Sequence, residues 1–130
     1  MSRQTDNPKR KRVRKNQFAL KIRLAHGSCT AMGPGKAELL AAIAETGSIS
    51  AAAKTMRMSY RRAWELVNTM NRCFDQPLVT TSPGGVGGGG AQVTELGHLL
   101  LKRYGILVAK TNKLAATELA DVISHLQPLD

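Results

Sequence analysis

The chain has 130 residues, with 19 lysines and arginines against 9 aspartates and glutamates, a formal net charge of +10 and a pI near 10.2. A chain of this length holds one domain with a tail or an oligomerisation element, and this charge calls for an anionic partner or a solvated tail. No leader-like apolar segment opens the chain and no run of about eighteen apolar residues occurs, so a membrane partner is not expected and a soluble, cytoplasmic protein is. Cys29 and Cys73 lie far apart without C-x-x-C spacing, which indicates neither a disulfide framework nor a zinc site.

The charge is uneven. Residues 1–16 carry Arg3, Lys9, Arg10, Lys11, Arg12, Arg14 and Lys15 against Asp6, a net of +6. Residues 17–94 are net +4 and residues 95–130 are neutral. The first segment reads as a disordered basic arm in the absence of a partner, the second as the globular domain, and the third as a C-terminal helix for dimerisation.

In chain order, Phe18–Leu24 alternates apolar and polar residues with the period of a half-buried strand. Gly33-Pro34-Gly35 breaks the chain. The segment Lys36 to Thr46 then sets Ala37, Leu39, Leu40, Ile43 and Ala44 on one helical face, with Gly47 as the residue beyond its C-terminus. Ser48 is placed to cap a short helix to about Met56, Met58 falls at a buried turn position, and Ser59 is placed to cap a longer helix to about Phe74. Gln76–Thr81 and Ala91–Thr94 read as strands on either side of a glycine-rich loop. Thr94 is placed to cap a last helix running to about Leu126, with Glu95 at the positive end of its dipole. Gly105, inside that helix, marks a kink or a close helix crossing.

Two short capped helices starting about eleven residues apart, Ser48 to Ser59, with small residues in the first and Ser-Tyr-Arg-Arg opening the second, are the pattern of a helix-turn-helix. Two strands around a glycine loop directly after the second helix make a wing. The fold class expected is therefore mainly α with a small β wing, a winged helix-turn-helix with a long C-terminal dimerisation helix. Double-stranded DNA is the partner that this pattern and the charge imply.

On the second helix, Ala63, Leu66, Val67, Met70 and Phe74 project to one side, and Arg61, Glu65, Asn68 and Arg72 to the other. Arg61 is the first choice for reading guanine, because a guanidinium donates two hydrogen bonds to O6 and N7. Arg62, Ser59 and Tyr60 suit phosphates at the groove edge. Glu65 either accepts from cytosine N4 or orients Arg61, and Arg72, farther along the helix, suits a phosphate. Ser48, together with Thr81 and Ser82 on the wing, completes the candidate contacts, with Lys9, Arg10, Lys11 and Arg12 of the arm. Trp64 lies between the two faces and is expected to pack at the edge of the core.

The string Gly47-Ser48-Ile49-Ser50-Ala51-Ala52-Ala53, with Val93-Thr94-Glu95-Leu96-Gly97, resembles the winged helix-turn-helix of LysR-type regulators. Ser59-Tyr60-Arg61-Arg62-Ala63-Trp64-Glu65, Asn68-x-Met70-Asn71 and the polyglycine loop Gly84–Gly90 narrow the resemblance. Over about residues 18–115 the chain resembles the N-terminal DNA-binding domain of ModE-type molybdate-responsive regulators. That resemblance implies a homodimer joined through its first and last helices, binding a near-palindromic operator to repress molybdate-uptake genes. Full-length members continue into molybdate-binding β-barrel domains, and no strand-rich segment follows the last helix here. Val86 also stands where that family commonly has a basic wing residue, which leaves backbone N–H groups or Thr80, Thr81 and Ser82 to meet phosphates.

No catalytic constellation is present, and no enzyme is expected. The glycine loop lacks the Gly-Lys-Ser/Thr of a phosphate-binding loop, and His26, His98 and His125 lack metal-ligand spacing. No cofactor is expected, and molybdate remains a possible ligand only under an alternative reading, a small-oxyanion sensor binding at the dimer interface. A further alternative is a dimerising modulator of another regulator.

Overall fold

A computed structural model describes residues 18–83 and 90–128. The basic arm with Lys9, Arg10, Lys11 and Arg12, and the wing tip Gly84–Gly89, lie outside the described residues. The chain divides into two compact units. One is Lys21–Ala109, and the other comprises residues 1–20 and 110–130.

The first unit opens with an antiparallel hairpin, β1 (Leu24–His26) and β2 (Cys29–Met32). Its two-residue turn is Gly27-Ser28, with Gly27 at φ +60°, a backbone state that glycine enters at little cost and a tight hairpin requires. The strand expected over Phe18–Leu24 is thus displaced: β1 begins at Leu24, and the residues before it form no ladder. Their polar groups use side-chain partners instead, as where the Ile22 carbonyl accepts from the Tyr104 hydroxyl at 2.6 Å.

Helix α1 spans Pro34–Thr46, with Gly33 as its N-cap and Pro34 at the first helical position, where a missing N–H costs nothing. Gly47 ends it in the left-handed region (φ +72°), its N–H bonded to the Ile43 carbonyl at 2.8 Å. Helix α2 (Ile49–Thr55) begins where Ser48 Oγ accepts from the Ala51 N–H at 3.0 Å. Arg57 takes a left-handed φ of +57° in the following turn, and Met58 packs partly buried against the core. Helix α3 (Tyr60–Cys73) begins where Ser59 Oγ accepts from the Arg62 N–H at 3.0 Å.

The wing strands are β3 (Val79–Ser82) and β4 (Gly90–Val93), paired antiparallel from Val79↔Val93 to Ser82↔Gly90. Asn71 of α3 secures them to the helices: its Oδ1 accepts from the Leu78 N–H at 2.8 Å and its Nδ2 donates to the Val79 carbonyl at 3.0 Å. The Ala91 N–H donates to the Gly47 carbonyl at 2.9 Å, which ties β4 to the α1–α2 turn.

Helix α4 runs Glu95–Glu118, capped by Thr94 Oγ1, which accepts from the Gly97 N–H at 3.1 Å and donates to the Pro77 carbonyl at 2.8 Å. The single helix expected to reach Leu126 is interrupted at Leu119 and resumes as α5 (Ala120–Ile123). Gly105 lies inside continuous α4, and a Cβ there would meet nothing within 4 Å, so no helix of this chain crosses closely at that point among the described residues.

The core lies in the first unit. Met32, Leu39, Leu40, Ile43, Met70 and Leu78 are fully buried, joined by Ala52, Ala63 and Val67 from the two short helices and by Tyr104 from α4. The inner faces expected of α1 and α3 are present, with Leu66 and Phe74 partly buried and Ala44 turned to solvent. Cys29 of β2 and Cys73 at the end of α3 form a disulfide, their Cα atoms 6.0 Å apart. That overturns the expectation of no disulfide. The pairing follows from α3 packing on β2, which a separation of 44 residues does not announce. In the second unit, the Leu20 N–H donates to Asn112 Oδ1 at 2.6 Å.

Candidate nucleic-acid interface

The fold presents the first two turns of α3. Its inner stripe, Ala63, Val67 and Met70, is fixed in the core, so the residues about half a turn away point outward. The Arg61 side chain is 88% exposed and Glu65 54%, and Arg61 Nε lies 3.5 Å from Glu65 Oε2. At this exposure the ion pair adds little to stability. Its consequence is directional, since a guanidinium tethered at Nε keeps its two terminal nitrogens free to donate. Glu65 is thus paired with Arg61 one turn before it.

Tyr60 is 55% exposed, and Trp64, one turn later, is 46% exposed. The expectation that Trp64 packs at the core edge therefore fails. A helical projection places a residue between two faces without saying whether a neighbouring element covers that sector, and among the described residues none covers it fully. Tyr60 and Trp64 thus form an aromatic stripe beside the Arg61–Glu65 pair.

Arg62 is exposed in the first turn. Asn68 is half-buried, and Arg72 is exposed in the last turn, ~16 Å along the axis from Arg61 at about 1.5 Å per residue. The structure gathers Tyr60, Arg61, Arg62 and Glu65 at one end of α3 and leaves Arg72 at the other. Ser48 Oγ and Ser59 Oγ each accept a cap hydrogen bond, and each hydroxyl retains a proton to donate. Thr81 and Ser82 are exposed on β3. Asn71, part of the motif that suggested the family, faces the wing backbone and holds it.

Two cations that sequence reasoning did not single out stand near this end of α3. Lys36, in the first turn of α1, has its ammonium held below the ordinary lysine range by partial burial, then by the Arg23 guanidinium, then by Arg62. Arg23 lies across the start of α1, its Cγ 3.5 Å from where a Cβ on Gly33 would be. No local signal marked them, because they are brought together only when α1 and β2 pack on α3.

This arrangement of a capped helix pair, an outward second helix and a two-stranded wing is matched in sequence. The model for the bacterial regulatory helix-turn-helix protein, lysR family, matches residues 35–98. Curated relatives narrow the likeness. The chain is 46% identical over 86 residues to the molybdenum-pterin-binding protein MopB of Rhodobacter capsulatus, a match covering 66% of this chain and 32% of that protein. It is 43% identical over 74 residues to the DNA-binding transcriptional dual regulator ModE of Escherichia coli K12 (57% of this chain, 28% of that one). It is 38% identical over 88 residues to the molybdenum transport protein ModE of Azotobacter vinelandii (68% and 33%). The resemblance to ModE-type regulators thus holds over the helix-turn-helix region, and the chain spans about a third of the length of these relatives. Among the described residues no helix is long and apolar enough to cross a membrane.

Proposed function

We propose that this chain is a sequence-specific, DNA-binding transcriptional regulator that acts as a homodimer in the cytoplasm and catalyses no reaction. The observation that carries this reading is the exposed Tyr60–Arg61–Arg62–Trp64–Glu65 face at the N-terminal end of α3, inside the segment that matches the lysR-family helix-turn-helix model. The N-terminal half of a recognition helix is the part that reaches base edges in the major groove. Arg61, aimed by Glu65, donates to guanine O6 and N7. Trp64 and Tyr60 offer apolar surface to thymine methyl groups or sugars, and Arg62, Ser59, Ser48, Thr81 and Ser82 meet phosphates. The names of the relatives support molybdenum metabolism as the setting, and repression of uptake genes is our proposed output.

Selection of bound duplexes from a random-sequence pool tests the reading, and it is expected to return a common, two-fold symmetric site. On that site Arg61→Ala weakens binding by about 1–3 kcal/mol and relaxes preference at one position of each half. No enriched sequence, or unchanged affinity and selectivity for the variant, overturns the assignment of Arg61 as the reader. Molybdate is the ligand of the alternative reading. Calorimetric titration of the protein with molybdate distinguishes the two, and no heat is expected if DNA is the sole partner of this region.

A further inference from the structure

The cations at the start of α1 are placed against ordinary helix electrostatics. With Gly33 and Ser59 as N-caps, Lys36 and Arg62 both occupy the third helical position of their helices, where the dipole end is positive. Neither first turn contains an acidic residue. Arg23 joins them from the segment before β1, with its stem laid over Gly33. After partial burial, the causes that lower Lys36 are two cationic neighbours, Arg23 and then Arg62. Three segments thus bring like charges together at two positive helix ends. Such a cluster costs stability unless an anion occupies it.

Resting on the reading that α3 enters the major groove, we propose that Arg23, Lys36 and Arg62 form one phosphate cradle that holds the DNA backbone beside the inserted helix. DNA is the occupant that fits, because the cluster is continuous with the reading face. Arg62 follows Arg61 directly, and the sugar–phosphate chain runs along the edge of the groove that Arg61 enters. The cradle carries no sequence information itself, and it sets the register in which Arg61 meets its base.

The test measures binding of Lys36→Gln and Arg23→Gln to a labelled duplex of about two helical turns over a range of salt concentrations, with Lys36→Arg as the charge-retaining control. Each phosphate contact contributes about 0.9 to the slope of log affinity against log salt. Each glutamine variant is expected to lower that slope by about 1, and to weaken the selected site and an arbitrary sequence to the same degree, while Lys36→Arg keeps the wild-type slope. Wild-type slopes in both glutamine variants overturn the cradle while leaving DNA binding intact. Failure of the wild-type chain to bind any duplex overturns the DNA reading itself, and the cradle with it. If free phosphate or molybdate raises the melting temperature of the wild type but not of Lys36→Gln, and the DNA salt slopes are unchanged, the cluster serves a free oxyanion and the proposal is overturned.

Discussion

Tyr104 is buried, and its hydroxyl donates to the Ile22 carbonyl at 2.6 Å, a bond that anchors the segment before β1. Burial raises its phenol above the ordinary tyrosine value of 10.0. The folded state therefore binds this proton more tightly than the unfolded chain does. Its contribution to stability is fully present below pH 10.0 and is lost as pH climbs through the raised folded value. Tyr104→Phe is expected to cost about 1 kcal/mol near neutral pH, the net worth of a typical hydrogen bond. It is also expected to remove part of the alkaline decline that the wild type shows above pH 10.0. Urea midpoints for both proteins, at neutral pH and above pH 10.0, measure this, and parallel declines would count against it.

Among the described glycines, Gly97, where α4 meets the wing, makes the tightest backbone approach. A Cβ on Gly97 would lie 2.6 Å from the Leu78 carbonyl oxygen and 2.6 Å from Val93 Cγ1. That oxygen already accepts from the Thr94 N–H at 2.9 Å, so it is not free to retreat. Gly97→Ala is expected to destabilise the domain by roughly 1–3 kcal/mol, read as a lower urea midpoint. A midpoint at or above that of the wild type would mean that the wing shifts aside without cost. The position also shows what can be read from sequence. Ser48, Ser59, Thr94 and Gly47 were identifiable as caps because a cap involves residues within one turn of each other, and the inner stripes of α1 and α3 because burial repeats with the helix period. The β1–β2 hairpin is not legible in the sequence pattern. The alternation over Phe18–Leu24 is a stronger pattern than Leu24–His26, and the informative signal was the Gly27-Ser28 pair between two short runs. The Cys29–Cys73 bridge, the Arg23–Lys36–Arg62 cluster and the exposure of Trp64 each depend on which surfaces α3 packs against, and no local spacing encodes that.

For the whole molecule, the apolar surface left on α4 bears on assembly. Leu99 and Ile106 are exposed two turns apart on α4 in the first unit, and Leu114, Leu119, Val122 and Leu126 are exposed in the second. Isolated exposed leucines need no explanation, but a stripe recurring at helical spacing is a surface suited to packing against a second helix. Dimerisation about a two-fold axis would place two α3 helices about one turn of DNA, or ~34 Å, apart. Gly105 lies beside Ile106 with open space around its Cβ position, so within one chain its replacement is harmless. Gly105→Ala in an isolated helix stabilises by roughly 0.5–1 kcal/mol, through the higher helix propensity of alanine. In a dimer whose helices cross at that glycine, the added methyl group separates them and weakens association instead. Ile106→Glu places an unpaired charge on the same stripe. It is expected to give a monomer in sedimentation equilibrium, with the far-ultraviolet circular dichroism of the folded domain retained. Affinity for the symmetric site should then fall by about 100-fold or more, as the second half-site no longer binds intramolecularly, while affinity for a single half-site is unchanged. A dimer that survives Ile106→Glu would move the interface off this stripe. A Gly105→Ala protein that is both more stable and equally dimeric would place the helix crossing elsewhere along α4.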